Sequence, residues 1–349
     1  MNKQRVLTGI RPTGPLHLGH YAGALKQWLN IQNAGNHDCY FLIADVQALT
    51  THVDKPGLIE QSVREIVLDW LAVGLDPSLP HVHFVMQSWL RELPELTVYL
   101  SMVAPFTWMQ HNPTIRAEMK TIKAAKEAIS TGFMMYPVSQ AADILFVSPD
   151  PTVYTSKILV PVGQDQAPHL EDTNRIAKRF GDIYGDTFVR CSPLFGDVSR
   201  LVGTDGQAKM SKSLGNAIVL CEELEDLRKK VMKMYTDPTR IRATDPGHVE
   251  GNPVFMYLDA FDPNTTEVQD LKERYEQGRV GDVAVKGVLL KALTKFLGPI
   301  QERRGEAEKE DLLSMVTEGT EAARILAVET LERVREAMHL NYKVLRRLQ

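Results

Sequence analysis

The chain has 349 residues, 44% apolar and 24% charged. That is length for roughly two domains at about 150 residues each, and a mix that excludes a disordered or fibrous protein. Lys plus Arg number 40 and Asp plus Glu 44, a net charge of −4 that excludes a surface built wholly for nucleic acid but not a local basic patch.

In chain order, 6–10 (Val6-Leu7-Thr8-Gly9-Ile10) is strand-like, and 21–34 spaces Leu25, Trp28, Leu29 and Ile31 as a helix does. The apolar run 39–44 ends at Asp45, as a strand covered on both faces should. A helical stretch at 59–73 closes at Gly74, and 83–86 is a third strand. The uncharged stretch 96–115 has the length of a membrane span. It contains Pro105, Gln110, His111, Asn112 and Pro113, and so predicts a buried helix and loop. A further strand is expected within 153–162. Alternation of strand and helix predicts a parallel sheet with right-handed crossovers. From Glu222 onward the pattern is helical, at 222–235, 268–275, 283–297, 300–309 and 312–345, punctuated by Pro238, Pro246, Pro253, Pro263 and Pro299. The expectation is a Rossmann-like, doubly wound α/β domain over 1–221 and a helical domain over 222–349, its last helix packing back on the first. Cys39, Cys191 and Cys221 form no CxxC pair and predict free thiols. With no apolar signal core near the N-terminus, a soluble, cytoplasmic chain with no membrane contact is expected.

Two segments carry chemistry. Directly after the first strand comes Arg11-Pro12-Thr13-Gly14-Pro15-Leu16-His17-Leu18-Gly19-His20, where a parallel strand gives way to a helix and helix amides can meet phosphate. His17 and His20 share one side of a first helical turn, and Gly19 lets a flat ring or phosphate approach the backbone. No further metal ligand stands nearby, so no metal site is expected. The second segment, Gly206-Gln207-Ala208-Lys209-Met210-Ser211-Lys212-Ser213-Leu214-Gly215-Asn216, is a small-residue loop whose two lysines suit a polyphosphate gripped during reaction.

Together these motifs resemble the paired signatures of class I aminoacyl-tRNA synthetases: the HIGH type at His17-Leu18-Gly19-His20 and KMSKS at Lys209-Met210-Ser211-Lys212-Ser213. The block from Gly9 to Leu25, the segment Tyr136-Pro137 to Ala141-Ala142-Asp143-Ile144, the run Val160-Pro161-Val162-Gly163-Gln164-Asp165-Gln166, and Gly251-Asn252-Pro253-Val254 are similar to the tryptophanyl family in particular. The likeness covers nearly the whole chain. It implies ATP with Mg2+ as a substrate complex, L-tryptophan and tRNA(Trp) as partners, and a homodimer. By the same resemblance His17, His20, Lys209 and Lys212 are catalytic. Arg11, Thr13, Gly19, His20, Gly163, Asp165, Lys209, Met210, Ser211, Lys212 and Ser213 bind ATP, with Asp165 on the ribose. Leu7, Tyr136, Gln140, Asp143, Ile144, Val162 and Gln166 bind tryptophan: Asp143 accepts the indole N–H, Tyr136 meets the α-amino end and Gln166 lies near it.

The sequence departs from the family at three points. Leu7 stands where bacterial relatives have Phe, Gln140 where they have Met, and Gln47 where His is common. Gln140 also matches the tyrosyl family, but Leu7 cannot read a phenol as that family's Tyr does. A tyrosyl-type synthetase, another ligase or nucleotidyltransferase of the superfamily, and a catalytically silent RNA-binding paralogue stand as alternatives. Lys229, Lys230, Lys233, Arg240, Arg242, Arg303, Arg304, Lys343, Arg346 and Arg347 are candidate tRNA phosphate contacts.

Overall fold

Strands β1 (Gln4–Ile10), β2 (His37–Ile43), β3 (Val82–Met86), β4 (Ile158–Pro161) and β5 (Cys191–Leu194) form one sheet in the computed structural model, all parallel, in the order β3-β2-β1-β4-β5. The structure describes residues 3–124, 128–196, 201–206, 210, 214–242, 244–342 and 345. Between β1 and β2 run a short turn α1 (Leu18–His20), a π-turn over Tyr21–Leu25 and α2 (Lys26–Ala34); α3 (Asp45–His52) and α4 (Pro56–Val73) lead to β3. Next come α5 (Glu92–Val103), α6 (Phe106–His111), α7 (Pro113–Ala124) and α8 (Thr131–Leu145), then β4, α9 (Ala167–Tyr184) and β5. The remainder is helical: α10 (Leu224–Met232), α11 (Pro253–Phe261), α12 (Thr265–Glu276), α13 (Asp282–Ala307) and α14 (Leu312–Ala337).

Successive strand side chains point to opposite faces, and the burial divides accordingly. On one face Val6, Cys39, Phe41 and Phe84 pack with Trp28 and Trp70; Trp28 stacks on Phe41 at 5.1 Å and meets Trp70 edge-on at 5.9 Å. The same core continues without a break into Tyr257, Leu258, Leu289 and Leu293 of α11 and α13. On the other face Leu7, Tyr40, Leu42, Val85, Ile158 and Val160 pack against α5, α8 and α9. The last helix joins this second core through Ala323, Ala327, Leu331 and Val334. It also covers the edge strand β3: Met86 N–H donates to Thr320 Oγ1 at 2.9 Å, and only glycine fits at position 319, since a Cβ there would stand 2.3 Å from the Phe84 carbonyl oxygen. An open edge is thereby closed by a helix from the far end of the chain.

Four local expectations change, the first being that the helix expected over 312–345 ends at Ala337. Strand β5 was not expected; it is four residues long, contains Pro193 and sits at the sheet edge, where proline is tolerated. The pair of helices expected on either side of Pro299 is one continuous helix, α13, running through the proline. The stretch 96–115 is not one helix and a loop but most of α5, all of α6 and the start of α7. Among the described residues no helix is long and apolar enough to cross a membrane.

Candidate active site

The sheet order reverses between β1 and β4, so their C-terminal ends diverge and leave a crevice, the place where open α/β sheets hold ligands. The loop leaving β1 turns at Gly14, whose φ of +117° lies in the left-handed region that suits glycine. It then runs into the residue 216–220 segment. Leu220 N–H donates to the Leu16 carbonyl at 2.9 Å, Leu18 N–H donates to the Ile218 carbonyl at 2.9 Å, and His17 bridges Val219 antiparallel. Two motifs nearly two hundred residues apart are therefore neighbours. Gly19 N–H points at Met210 Sδ at 3.3 Å, and a Cβ on Gly19 would lie 3.0 Å from the His17 ring and 3.4 Å from that sulfur. Lys209, Ser211, Lys212 and Ser213 lie outside the described residues.

His17 is buried and caps the first turn. Its ring stacks on that of His20, centroids 3.7 Å apart and planes at 26°. His20 Nδ1 accepts the His17 N–H at 3.2 Å, which leaves the His20 ring proton on Nε2. After β4, Val162 is half-buried and Gly163 leads into a single 3-10 turn, Gln164–Gln166. A Cβ on Gly163 would lie 2.8 Å from Asp165 Oδ1, so glycine makes room for that carboxylate. Asp165 is exposed, accepts from Gln166 Nε2 at 3.3 Å, and its carbonyl accepts from Thr114 Oγ1 at 3.2 Å. Arg11 and half-buried Thr13 stand at the exit of β1, and Arg11 faces Glu118 at 4.0 Å.

Helix α8 carries the remaining groups. Asp143 is buried, yet both carboxylate oxygens accept from Gln87 Nε2 at 2.8 Å, and Oδ2 accepts from Gln47 Nε2 at 3.3 Å. Gln47 N–H donates to Gln87 Oε1 at 3.1 Å, which fixes the orientation of the Gln87 amide. Asp143 neither caps a helix nor pairs with a cation among the described residues; Ser130 caps α8. Burial pushes its carboxyl up to about 7, held back by the two amides.

Seven residues earlier, buried Tyr136 sets its hydroxyl 3.0 Å from His169 Nε2. Behind it Asn112 Nδ2 lies 3.4 Å from His169 Nδ1 and donates to Asp172 Oδ2 at 2.8 Å, while Asn112 Oδ1 accepts the Thr114 and Ile115 N–H groups. With the amide oriented in this way, Nδ1 of His169 is an acceptor and Nε2–H donates to Tyr136. Burial, with Arg11 nearby, pushes His169 down to about 4, so it stays neutral. Leu7 is buried on β1 beneath this wall, Gln140 is half-buried one turn after Tyr136, and Ile144 is buried in the second core.

Gln87, His169, Asn112 and Asp172 were not singled out from the sequence. Gln87 follows the last residue of β3, and the C-terminal end of a parallel strand was the available signal. His169, Asn112 and Asp172 gave none, because their partnership exists only once the junction of α6 and α7 is packed on α9.

Comparison with known proteins accords with this geometry. Residues 1–298 match the family described as tRNA synthetases class I (W and Y), and the chain belongs to that family. Two relatives similar over nearly their whole length are named for tryptophan. A tryptophan–tRNA ligase of Treponema pallidum is 47% identical over 345 residues, 98% of each chain. One of Clostridium longisporum is 44% identical over 347 residues, again 98% of each. The tryptophanyl-tRNA synthetase of Campylobacter jejuni, solved with ADP and tryptophan, superposes with a TM-score of 0.81 at 29% identity, covering 96% of this chain and all of that one.

Proposed function

We infer that the chain is a tryptophan–tRNA ligase: it activates L-tryptophan with ATP and transfers the tryptophanyl group to tRNA(Trp). The observation that carries this reading is Asp143, a buried carboxylate held by two side-chain amides and, among the described residues, by no cation. An indole has one donor and no acceptor, so a carboxylate acceptor in an apolar enclosure suits it. A substrate without that donor leaves the buried charge unmatched. Leu7, apolar and buried beside the same wall, offers a phenol hydroxyl nothing.

In the first step the tryptophan carboxylate oxygen attacks the α-phosphorus of ATP, the bond to the β-phosphate bridging oxygen breaks, and pyrophosphate leaves. In the second, a hydroxyl of the terminal tRNA ribose attacks the acyl carbon and AMP departs. Little covalent chemistry falls to the protein, so positioning and charge stabilisation dominate. His17 and His20 receive ATP at the first helical turn, with Arg11 and Thr13 beside the phosphates and Asp165 on the ribose. Lys209 and Lys212 grip the leaving pyrophosphate, each worth about 3 kcal/mol in the transition state by analogy with other preorganised donors. Tyr136, oriented by His169, and Gln166 hold the α-amino end, while Gln140, Ile144 and Val162 complete the tryptophan site. ATP enters as its magnesium complex; among the described residues no group of three or more His, Cys, Asp or Glu could hold a metal of its own.

Residues 1–221 form the catalytic unit and 222–349 the tRNA-binding unit, in a cytoplasmic homodimer. Val98, Met102 and Phe106, exposed and spaced by four along α5 and into α6, supply an apolar stripe for the dimer contact. ATP–pyrophosphate exchange run with each amino acid tests the activity: exchange with tryptophan is expected, and exchange with tyrosine alone would overturn it.

A further inference from the structure

One wholly buried carboxylate outside the groups named above touches the ATP loop. Asp69, on α4, is 0% exposed. Its Oδ2 accepts the N–H of Leu16, the residue before His17, at 2.8 Å. Its Oδ1 accepts from Arg304 Nη1 at 2.5 Å. Arg304 reaches in from α13, and its Nη2 is held by the Glu65 carboxylate one turn before Asp69. The carbonyl of Leu16 is meanwhile bound by Leu220 N–H. Both backbone polar groups of Leu16 are thus tied, one to α4 and one to the segment that follows the two-lysine loop.

A buried ion pair is a poor device for stability alone, since apolar side chains of like volume pack as well or better. An acceptor pinned by a guanidinium is a good device for holding one amide in a fixed place. We propose that Asp69 is a positioning residue for ATP: it fixes Leu16, and with it His17 and the first helical turn, while Arg304 sets that clamp from the helical half of the chain. The inference rests on the ATP-binding role given above to this loop.

Two double variants separate positioning from packing. Asp69→Leu/Arg304→Met and Asp69→Asn/Arg304→Met both abolish the ion pair, but only asparagine can still accept the Leu16 N–H. In ATP–pyrophosphate exchange with tryptophan, the KM for ATP is expected to be about tenfold higher in the leucine variant than in the asparagine one, the loss of a single hydrogen bond. The KM for tryptophan should be the same in both. ATP KM values within twofold of each other would overturn the proposal. Hydrogen exchange on the wild-type chain supplies a second measurement that does not depend on the variants folding. Leu16 N–H should be protected at least a thousandfold, by order of magnitude, as a buried hydrogen-bonded amide is; exchange at the rate of a free loop would overturn the clamp. A wild-type chain inactive with tryptophan and ATP would count against the ATP reading itself, and Leu16 protection would still test the clamp.

Discussion

On the proposed role of Asp143 as acceptor of the indole N–H, which needs the ionised carboxylate, tryptophan binding should weaken as pH falls from 8 to 6. Burial pushes that carboxyl up to about 7, whereas an exposed aspartate would be ionised throughout this window. With a value of 7, about ten parts in eleven are ionised at pH 8 and about one part in eleven at pH 6, so the apparent Kd should rise about tenfold, or about 1.4 kcal/mol. The sign follows from what binds: the ligand selects the deprotonated form, so binding at pH 6 to 7 must release a proton. Neither the ammonium nor the carboxylate of tryptophan titrates between 6 and 8, and His169, pushed down to about 4, stays neutral there. Equilibrium titration with ATP absent, by calorimetry in two buffers of different ionisation enthalpy, measures Kd and proton release together. Asp143→Asn should bind more weakly and lose the slope. A wild-type Kd constant within twofold from pH 6 to 8, or the same slope in Asp143→Asn, would refute the reasoning.

Gly19→Ala places a methyl 3.0 Å from the His17 ring and 3.4 Å from Met210 Sδ; overpacking of this kind costs about 1–3 kcal/mol. The KM for ATP should rise about tenfold or more while the Kd for tryptophan stays within twofold, as steady-state exchange and equilibrium titration will show. Lys212→Ala should cut pyrophosphate exchange by about two to three orders of magnitude with tryptophan binding nearly intact; a parallel fall in binding would make the lysine a ground-state contact instead. Burial pushes the Cys39 and Cys191 thiols up to about 12 and also raises that of half-buried Cys221, so thiolate is scarce at all three. A thiol reagent at pH 8 should modify Cys221 alone, slowly, in the native chain and all three in denaturant. Rapid native modification of Cys39 or Cys191 would show that the core opens.

How much could be read from the chain depended on whether the signal was local. The runs at 6–10, 39–44 and 83–86 stand out because strands covered on both faces are mostly apolar, and they match β1, β2 and β3 to within two residues at either end. β5 could not stand out: Cys191-Ser192-Pro193-Leu194 has neither length nor alternation, and it pairs only because β4 lies beside it. Pro299 misled because proline is a strong local breaker, whereas tertiary packing of Leu297 and Ile300 into the first core holds α13 continuous. The site divides in the same way. His17, Gly19, His20 and Asp143 sit in motifs that a linear pattern carries. Gln87, His169 and Asp69 act through partners about 50, 30 and 50 residues away or more, a coupling that folding creates.

The net charge of −4 also means something narrower once the partners are known. Several cations that composition alone would offer to tRNA are already engaged by the protein's own groups. Arg304 is buried between Asp69 and Glu65. The Arg240 side chain is almost wholly covered, lying over the Tyr275 ring at 4.1 Å and donating to the Val280 carbonyl. Lys230 is held by Glu222 and the Ala217 carbonyl, and Arg303 donates to the Ala72 carbonyl. Three of these anchor the 217–222 segment or α4, the elements bonded to the loop after β1, so these basic residues of the helical half hold the sheet-bearing half in place. Exposed cations such as Lys233 and Arg242 remain as proposed phosphate contacts, while Lys343, Arg346 and Arg347 lie outside the described residues. On the proposed tRNA-binding role of this half, the engaged cations release no counterions, so the salt dependence of the complex should be shallower than a bare count of Lys and Arg would give.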